Sequence, residues 1–217
     1  LKVGITHDER FELDNWNLSK NLISNFFLNT NFQTRYLYGE EAYMTAFYGV
    51  GFHFLSYPFE LISSFFIKEV NLTSLGKTYL SRHPTVFIFF LTSGIFLNKI
   101  IFRITKDFDY SSISAILFLT YPYLIGHSFF NIKDIPFMSV WVICSYLLID
   151  ILTDFFNFKK IKTYKIVLLS VITGYLFSIK IVGILISIQY LIFILVFINY
   201  SKINFIQFIK SHYKLFF

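Results

Sequence analysis

Beyond residue 83 the chain alternates long apolar runs with short charged connections. The uncharged runs lie at 84–98, 110–132, 135–149, 166–179 and 181–201. A membrane-crossing helix needs about 20 apolar residues, so 110–132 and 181–201 suffice alone. The three shorter runs reach the interface when flanking Lys, Arg or Asp side chains extend their charged ends to water. The pattern therefore predicts five membrane helices in 84–217. Residues 42–67 form another apolar stretch, but Gly49, Gly51, His53, Pro58 and Glu60 interrupt it among many aromatics. That mixture suits a helix lying at the interface with one face immersed, and its length also permits a crossing. Residues 1–41 are the only long polar stretch, with 21–33 as a short amphipathic element. No repeat, low-complexity linker or soluble domain is visible. The expected fold is all-α: a polytopic transmembrane helix bundle forming one membrane domain, whose N-terminal extracytoplasmic loop, 1–83, contains amphipathic and interfacial helices.

Composition strengthens the membrane assignment. Mean hydropathy is +0.60, and 15% of residues are charged against about a quarter in soluble domains. The 30 Phe and 15 Tyr fit an AT-rich coding sequence and carry no functional weight. A net charge of +6 in a soluble protein would point to nucleic acid. Here the basic residues flank apolar runs, so they signal topology and no nucleic-acid partner is expected. Lys99, Arg103, Lys106, Lys159, Lys160, Lys162, Lys165, Lys202, Lys210 and Lys214 fall on one side if the five helices alternate, which makes that side cytoplasmic. The opposite face then holds 68–83, the 126–134 turn and the turn around Lys180 and Gly183. The single Cys144 excludes a disulfide framework and a thiolate metal site; a small buried or lipid-facing hydrophobe accounts for it. The chain opens at Leu1 and is expected to be a piece of a longer protein, with a first helix before it and a C-terminal part after it.

Ionisable groups at membrane depth are costly, so each is a functional candidate. Lys180 interrupts SVITGYLFSIKIVGILISI, where Gly174 and Gly183 permit close backbone approach at a helix-to-helix turn. Its ammonium either holds a phosphate there or reaches to water where one apolar run becomes two helices. The connection YPYLIGHSFFNIKDIPF brings His127, Lys133 and Asp134 together between Pro122 and Pro136, as turn chemistry or as a site. Arg82 and His83 precede Pro84; a guanidinium is the natural fork for phosphate, and an interface anchor is the plainer alternative. At the start, Asp8, Glu9, Glu12 and Asp14 sit within seven positions beside His7. Such carboxylates can accept a proton from a hydroxyl or hold a divalent cation through oxygen ligands; a solvated acidic loop looks the same.

The order of these parts, an acidic pair, an amphipathic segment, Arg82-His83, GHSFFNIKDIPF at 126–137 and Gly174, Lys180, Gly183, resembles the GT-C membrane glycosyltransferases. Within them it is closest to the family 39-like group that includes protein O-mannosyltransferases and the aminoarabinose transferases of lipid A. The resemblance implies transfer of a sugar from a polyprenyl-phosphate donor to a lipid, glycan or protein acceptor on the extracytoplasmic face of a bacterial inner membrane. It puts the acidic motif at Asp8 and Glu9, with Asp8 as the base, the second acidic position at Asp134, and basic positions near the carrier phosphate or sugar at Arg82 and Lys180. Location adds His83, His127 and Lys133 as substrate-binding candidates. A transporter or flippase, and a non-catalytic membrane subunit, are the alternatives.

Overall fold

The computed structural model describes residues 12–17, 19–20, 24, 49–67, 71, 73–157 and 161–200. Among these residues the structure is helical, with no strand. A short helical stretch at 12–17 precedes α1 (Gly51–Ile67), α2 (Ser74–Thr105), α3 (Phe108–Thr120), α4 (Pro122–Ser128), α5 (Asp134–Phe156), α6 (Thr163–Ile179), a 3-10 helix (Ile181–Leu185) and α7 (Ile186–Tyr200). Three helical segments are long and apolar enough to cross a membrane: Gly76–Thr105, Asp134–Phe155 and Ile181–Asn199. The helices α3 and α6 are apolar but shorter, at 13 and 17 residues.

Side-chain pairs give the directions. Asn98 meets Ser112 and Phe90 meets Phe118, so α2 and α3 are antiparallel. Phe96 meets Tyr146 and Arg103 meets Asp150, so α2 and α5 run parallel. Cys144 faces Thr173, and Trp141 donates to Gln189, which returns α6 upward and α7 downward beside α5. The shared core is Val86 and Phe90 of α2, Val140 and Cys144 of α5, Leu176 and Ile179 of α6 and Ile186 of α7. Outward, Ile88, Leu91 and Ile95 of α2 and Ile188, Leu191 and Leu195 of α7 are exposed. A surface this apolar is at rest against hydrocarbon rather than water.

The structure corrects three sequence expectations. The run 110–132 is not one helix: Pro122 cannot donate to the preceding turn, and Tyr121 before it is extended, at φ −62° and ψ 119°, as a residue preceding proline prefers. The first crossing segment does not begin at Pro84. Its helix starts at Ser74, where the Thr73 side chain accepts from the Gly76 N–H at 3.2 Å and caps the first turn. Pro84 lies within α2, which at 32 residues is about 48 Å long, well beyond a hydrocarbon core of about 30 Å. Third, Gly174 is not a point of close approach: a Cβ there meets nothing within 4 Å, whereas one on Gly183 meets the Leu176 carbonyl oxygen at 3.1 Å.

The segment 42–67 resolves into α1 over its described part. Phe52 touches Phe89, with ring centroids 5.8 Å apart, and Glu60 pairs with Arg82. Increasing numbers on α1 thus meet decreasing numbers on α2, and α1 runs antiparallel along the early turns of α2. It is not among the helices long and apolar enough to cross.

Candidate functional site

Two glycines bring α1 to the rest of the bundle. A Cβ on Gly49 would lie 2.2 Å from the Ser178 carbonyl oxygen, and one on Gly51 would lie 2.1 Å from Ser178 Oγ. Only the absence of side chains lets the start of α1 press against the last turn of α6. This contact sets α1, the beginning of α5 and the end of α6 at one end of the bundle, beside the early turns of α2.

Buried charge collects there. Glu12, His53 and Arg82 are 3%, 1% and 1% exposed, a depth at which charges persist only when paired. Glu12 Oε1 lies 3.0 Å from Lys133 Nζ, and its Oε2 is 3.6 Å from His53 Nε2. Trp16 closes this group by stacking on His53 with centroids 5.7 Å apart, and it meets Phe54 and Tyr57 edge-on. One layer outward along α1, Glu60 Oε1 is 3.0 Å from Arg82 Nε and accepts from Ser56 Oγ at 2.8 Å. The Nη1 of Arg82 is buried with no hydrogen-bond partner among the described residues.

The connection before α5 is built on Asn131. Its Oδ1 accepts from the Lys133 and Asp134 N–H groups at 3.2 and 2.8 Å, an Asx turn that leads into α5. Its Nδ2 donates to Asp134 Oδ2 at 3.3 Å and lies 3.3 Å from His127 Nδ1. Lys133 is thereby turned toward Glu12, while Asp134 meets Lys180 Nζ at 2.8 Å. Lys180 itself occupies the extended residue between α6 and the 3-10 helix.

Of the residues expected from the sequence, Lys133, Asp134 and Lys180 therefore gather around one connection, with His127 joined to them through Asn131. Arg82 is not linked to any of these; its carboxylate partner is Glu60. His83 is buried on α2. Asp8 and Glu9 lie outside the described residues. Glu12, His53 and Glu60 were not among the expected site residues. Glu12 belonged to the acidic opening, but nothing in the spacing separates a buried carboxylate from a solvated one, and His53 and Glu60 read only as interruptions of an apolar run. Among the described residues no three His, Cys, Asp or Glu side chains come together to hold a metal ion.

An open cavity of about 520 Å³ adjoins this end, bounded by residues between Leu13 and Lys20, the later turns of α1 and the first turns of α2; Arg82 and Glu60 form part of its wall. The opposite end of the bundle carries a different arrangement. Arg103 and Lys165 both bridge Asp150 and Asp154, with Arg103 Nη1 2.7 Å from Asp150. Among the described residues these two cations and two carboxylates join α2, α5 and α6.

No family model, no curated protein and no solved structure matches the chain.

Proposed function

We propose that the chain is the membrane part of a glycosyltransferase that moves a sugar from a polyprenyl-phosphate donor to a lipid, glycan or protein acceptor. In this reading five helices cross the bacterial inner membrane, α1 lies at its outer surface, and the reaction takes place on the extracytoplasmic side. The observation that carries it is the 3.0 Å pair between Glu12 and Lys133. It joins the acidic opening of the chain to the 126–134 connection, so acids and cations from distant segments meet at one end of the bundle. Direct displacement at an anomeric carbon needs that arrangement: a carboxylate takes the acceptor hydroxyl proton as the new C–O bond forms. The bond from the anomeric carbon to the phosphate oxygen breaks with its electron pair on the phosphate, where cations neutralise the charge.

Asp8, with Glu9 beside it, is the base in this scheme, and Glu12 with Lys133 and His53 anchors the segment that carries it. Asp134 and Lys180, fixed to each other beside Asn131, orient sugar hydroxyls. A transporter would use the same two groups as coupling charges near the midplane; their pairing at helix ends favours the transferase.

The test is transfer from a radiolabelled polyprenyl-phosphate sugar by the full-length protein in membranes. Removing a general base costs about 10²- to 10⁴-fold, so Asp8→Asn is expected to lose transfer by that factor while retaining donor binding. Wild-type activity in the Asp8→Asn variant removes the base assignment, and a wild-type protein inert toward every polyprenyl-phosphate sugar removes the function.

A further inference from the structure

Asn131 has every hydrogen-bonding position of its side-chain amide in use. Its Oδ1 accepts from two backbone N–H groups, those of Lys133 and Asp134, and its Nδ2 lies 3.3 Å from both Asp134 Oδ2 and His127 Nδ1. A primary amide offers one oxygen with two lone pairs and two N–H donors, so nothing is left over. The same network fixes which way the amide faces. Turned the other way, its NH2 group would meet two backbone donors and its oxygen would meet a carboxylate. Nδ2 therefore faces His127 as a donor, and Nδ1 of the neutral imidazole must accept. The ring proton then sits on Nε2, because the bond made by one ring nitrogen sets the state of the other.

The backbone keeps these two side chains in register. The Asn131 N–H donates to the His127 carbonyl oxygen at 2.8 Å, and Tyr123 and Phe130 flank the imidazole with ring centroids 4.3 and 5.3 Å away, which restricts its rotation. His127 is half-buried, and its Nε2 has no hydrogen-bond partner among the described residues. On the other side of the amide, Asp134 reaches Lys180 Nζ at 2.8 Å. We infer that Asn131 is a positioning residue: it holds the neutral His127 imidazole in the tautomer with its proton on Nε2, so that His127 donates a hydrogen bond to an oxygen of the sugar beside Asp134 and Lys180. In that tautomer Nε2 has no lone pair to offer, so His127 is a donor and not a base, and the proton of the acceptor hydroxyl is left to the carboxylate. A donor whose ring and tautomer are set before the substrate arrives loses little freedom on binding it. The contact to the sugar rests on the sugar-transfer reading; the hold of Asn131 on the imidazole does not.

The first measurement is nuclear magnetic resonance of the full chain in detergent micelles, labelled with nitrogen-15 in histidine and held in alkaline buffer; the signals lost in His127→Gln assign the residue. Protonated and bare ring nitrogens resonate far apart, and the wild type is expected to carry the proton on Nε2. Asn131→Asp keeps an oxygen for the two backbone N–H groups and puts an acceptor where Nδ2 stood. The proton is then expected to move to Nδ1, a change that a purely structural role for Asn131 does not produce. A wild-type proton on Nδ1, or one that stays on Nε2 in Asn131→Asp, overturns the inference. The second measurement is sugar transfer by the full-length protein in membranes. His127→Phe is expected to raise KM for the sugar donor about fivefold with kcat unchanged, as befits one neutral hydrogen bond made equally in ground and transition states. His127→Gln, whose amide still donates, is expected to restore KM. Wild-type KM in His127→Phe, no rescue in His127→Gln, or a loss confined to kcat overturns the contact to the sugar. Absence of transfer in the wild type, with the tautomers as expected, rejects the sugar-transfer reading and the sugar contact together and leaves the hold of Asn131 on His127 standing.

Discussion

Replacing Glu60 with Leu isolates the energetics of the buried end. In the native structure the Arg82 guanidinium, 1% exposed, has one carboxylate partner among the described residues, Glu60, at 3.0 Å. After Glu60→Leu it retains neither that partner nor access to bulk water. Ser56 loses less, because its hydroxyl also lies 3.3 Å from the His53 carbonyl oxygen. The cost is therefore that of an unpaired buried cation, about 3–5 kcal/mol; a solvent-exposed pair would cost under about 1 kcal/mol. Against a typical domain stability of about 5–15 kcal/mol the difference is readily measured. Arg82→Met combined with Glu60→Leu removes both charges and fills the space with apolar atoms, so the double variant is expected within about 1 kcal/mol of wild type or above it. Titration with a denaturing detergent, followed by far-ultraviolet circular dichroism without phosphate in the buffer, yields both numbers. A Glu60→Leu cost below about 1 kcal/mol, or a double variant that loses the sum of the two single losses, refutes the burial of this pair.

Gly49→Ala places a Cβ against backbone that cannot turn aside, 2.2 Å from the Ser178 carbonyl oxygen. It is expected to cost about 1–3 kcal/mol and to speed hydrogen exchange of α1 amides, while Gly174→Ala, open on all sides, gains about 0.5–1 kcal/mol from helix propensity. Asn131→Ala removes the turn that leads into α5, with its two hydrogen bonds to backbone N–H groups, and is expected to destabilise by about 1 kcal/mol; a thermal midpoint equal to wild type would contradict that role. Asp150→Ala leaves Arg103 and Lys165 sharing Asp154 alone. A loss of about 1–3 kcal/mol is expected in the same detergent titration.

The helices were legible because hydrocarbon imposes a length and a composition that local sequence records directly. Their breaks were less so. Pro122 ends a helix and Pro84 does not, because Tyr121 takes an extended conformation while Pro84 lies within a helix already established from Thr73. No local rule separates the two. Asn131 followed by Lys133-Asp134 was legible as turn chemistry, and the turn is there, but which way each charged side chain points depends on what other helices offer. Lys133 has Glu12 as its partner at 121 positions' remove, and Arg82 has Glu60 on an antiparallel helix. Gly49 and Gly51 read as interruptions; their purpose becomes visible only with Ser178 in place. The acidic opening is legible as a cluster, while the burial of Glu12 is a tertiary property.

The two ends of the bundle solve the same problem differently, and the difference points to where chemistry belongs. At one end, among the described residues, Arg103 and Lys165 face Asp150 and Asp154. This network joins three helices, and each of its four charges has an opposite partner in place. Near the other end, Glu12 pairs with Lys133 and Glu60 with Arg82, whose Nη1 is buried and unsatisfied among the described residues. A paired network stabilises a fold without needing a ligand, whereas a buried polar atom left unsatisfied costs stability until something binds. A membrane helix bundle needs only the first kind to hold together. The unsatisfied Arg82 nitrogen is retained at the expense of the free fold, an expense that a bound ligand would offset.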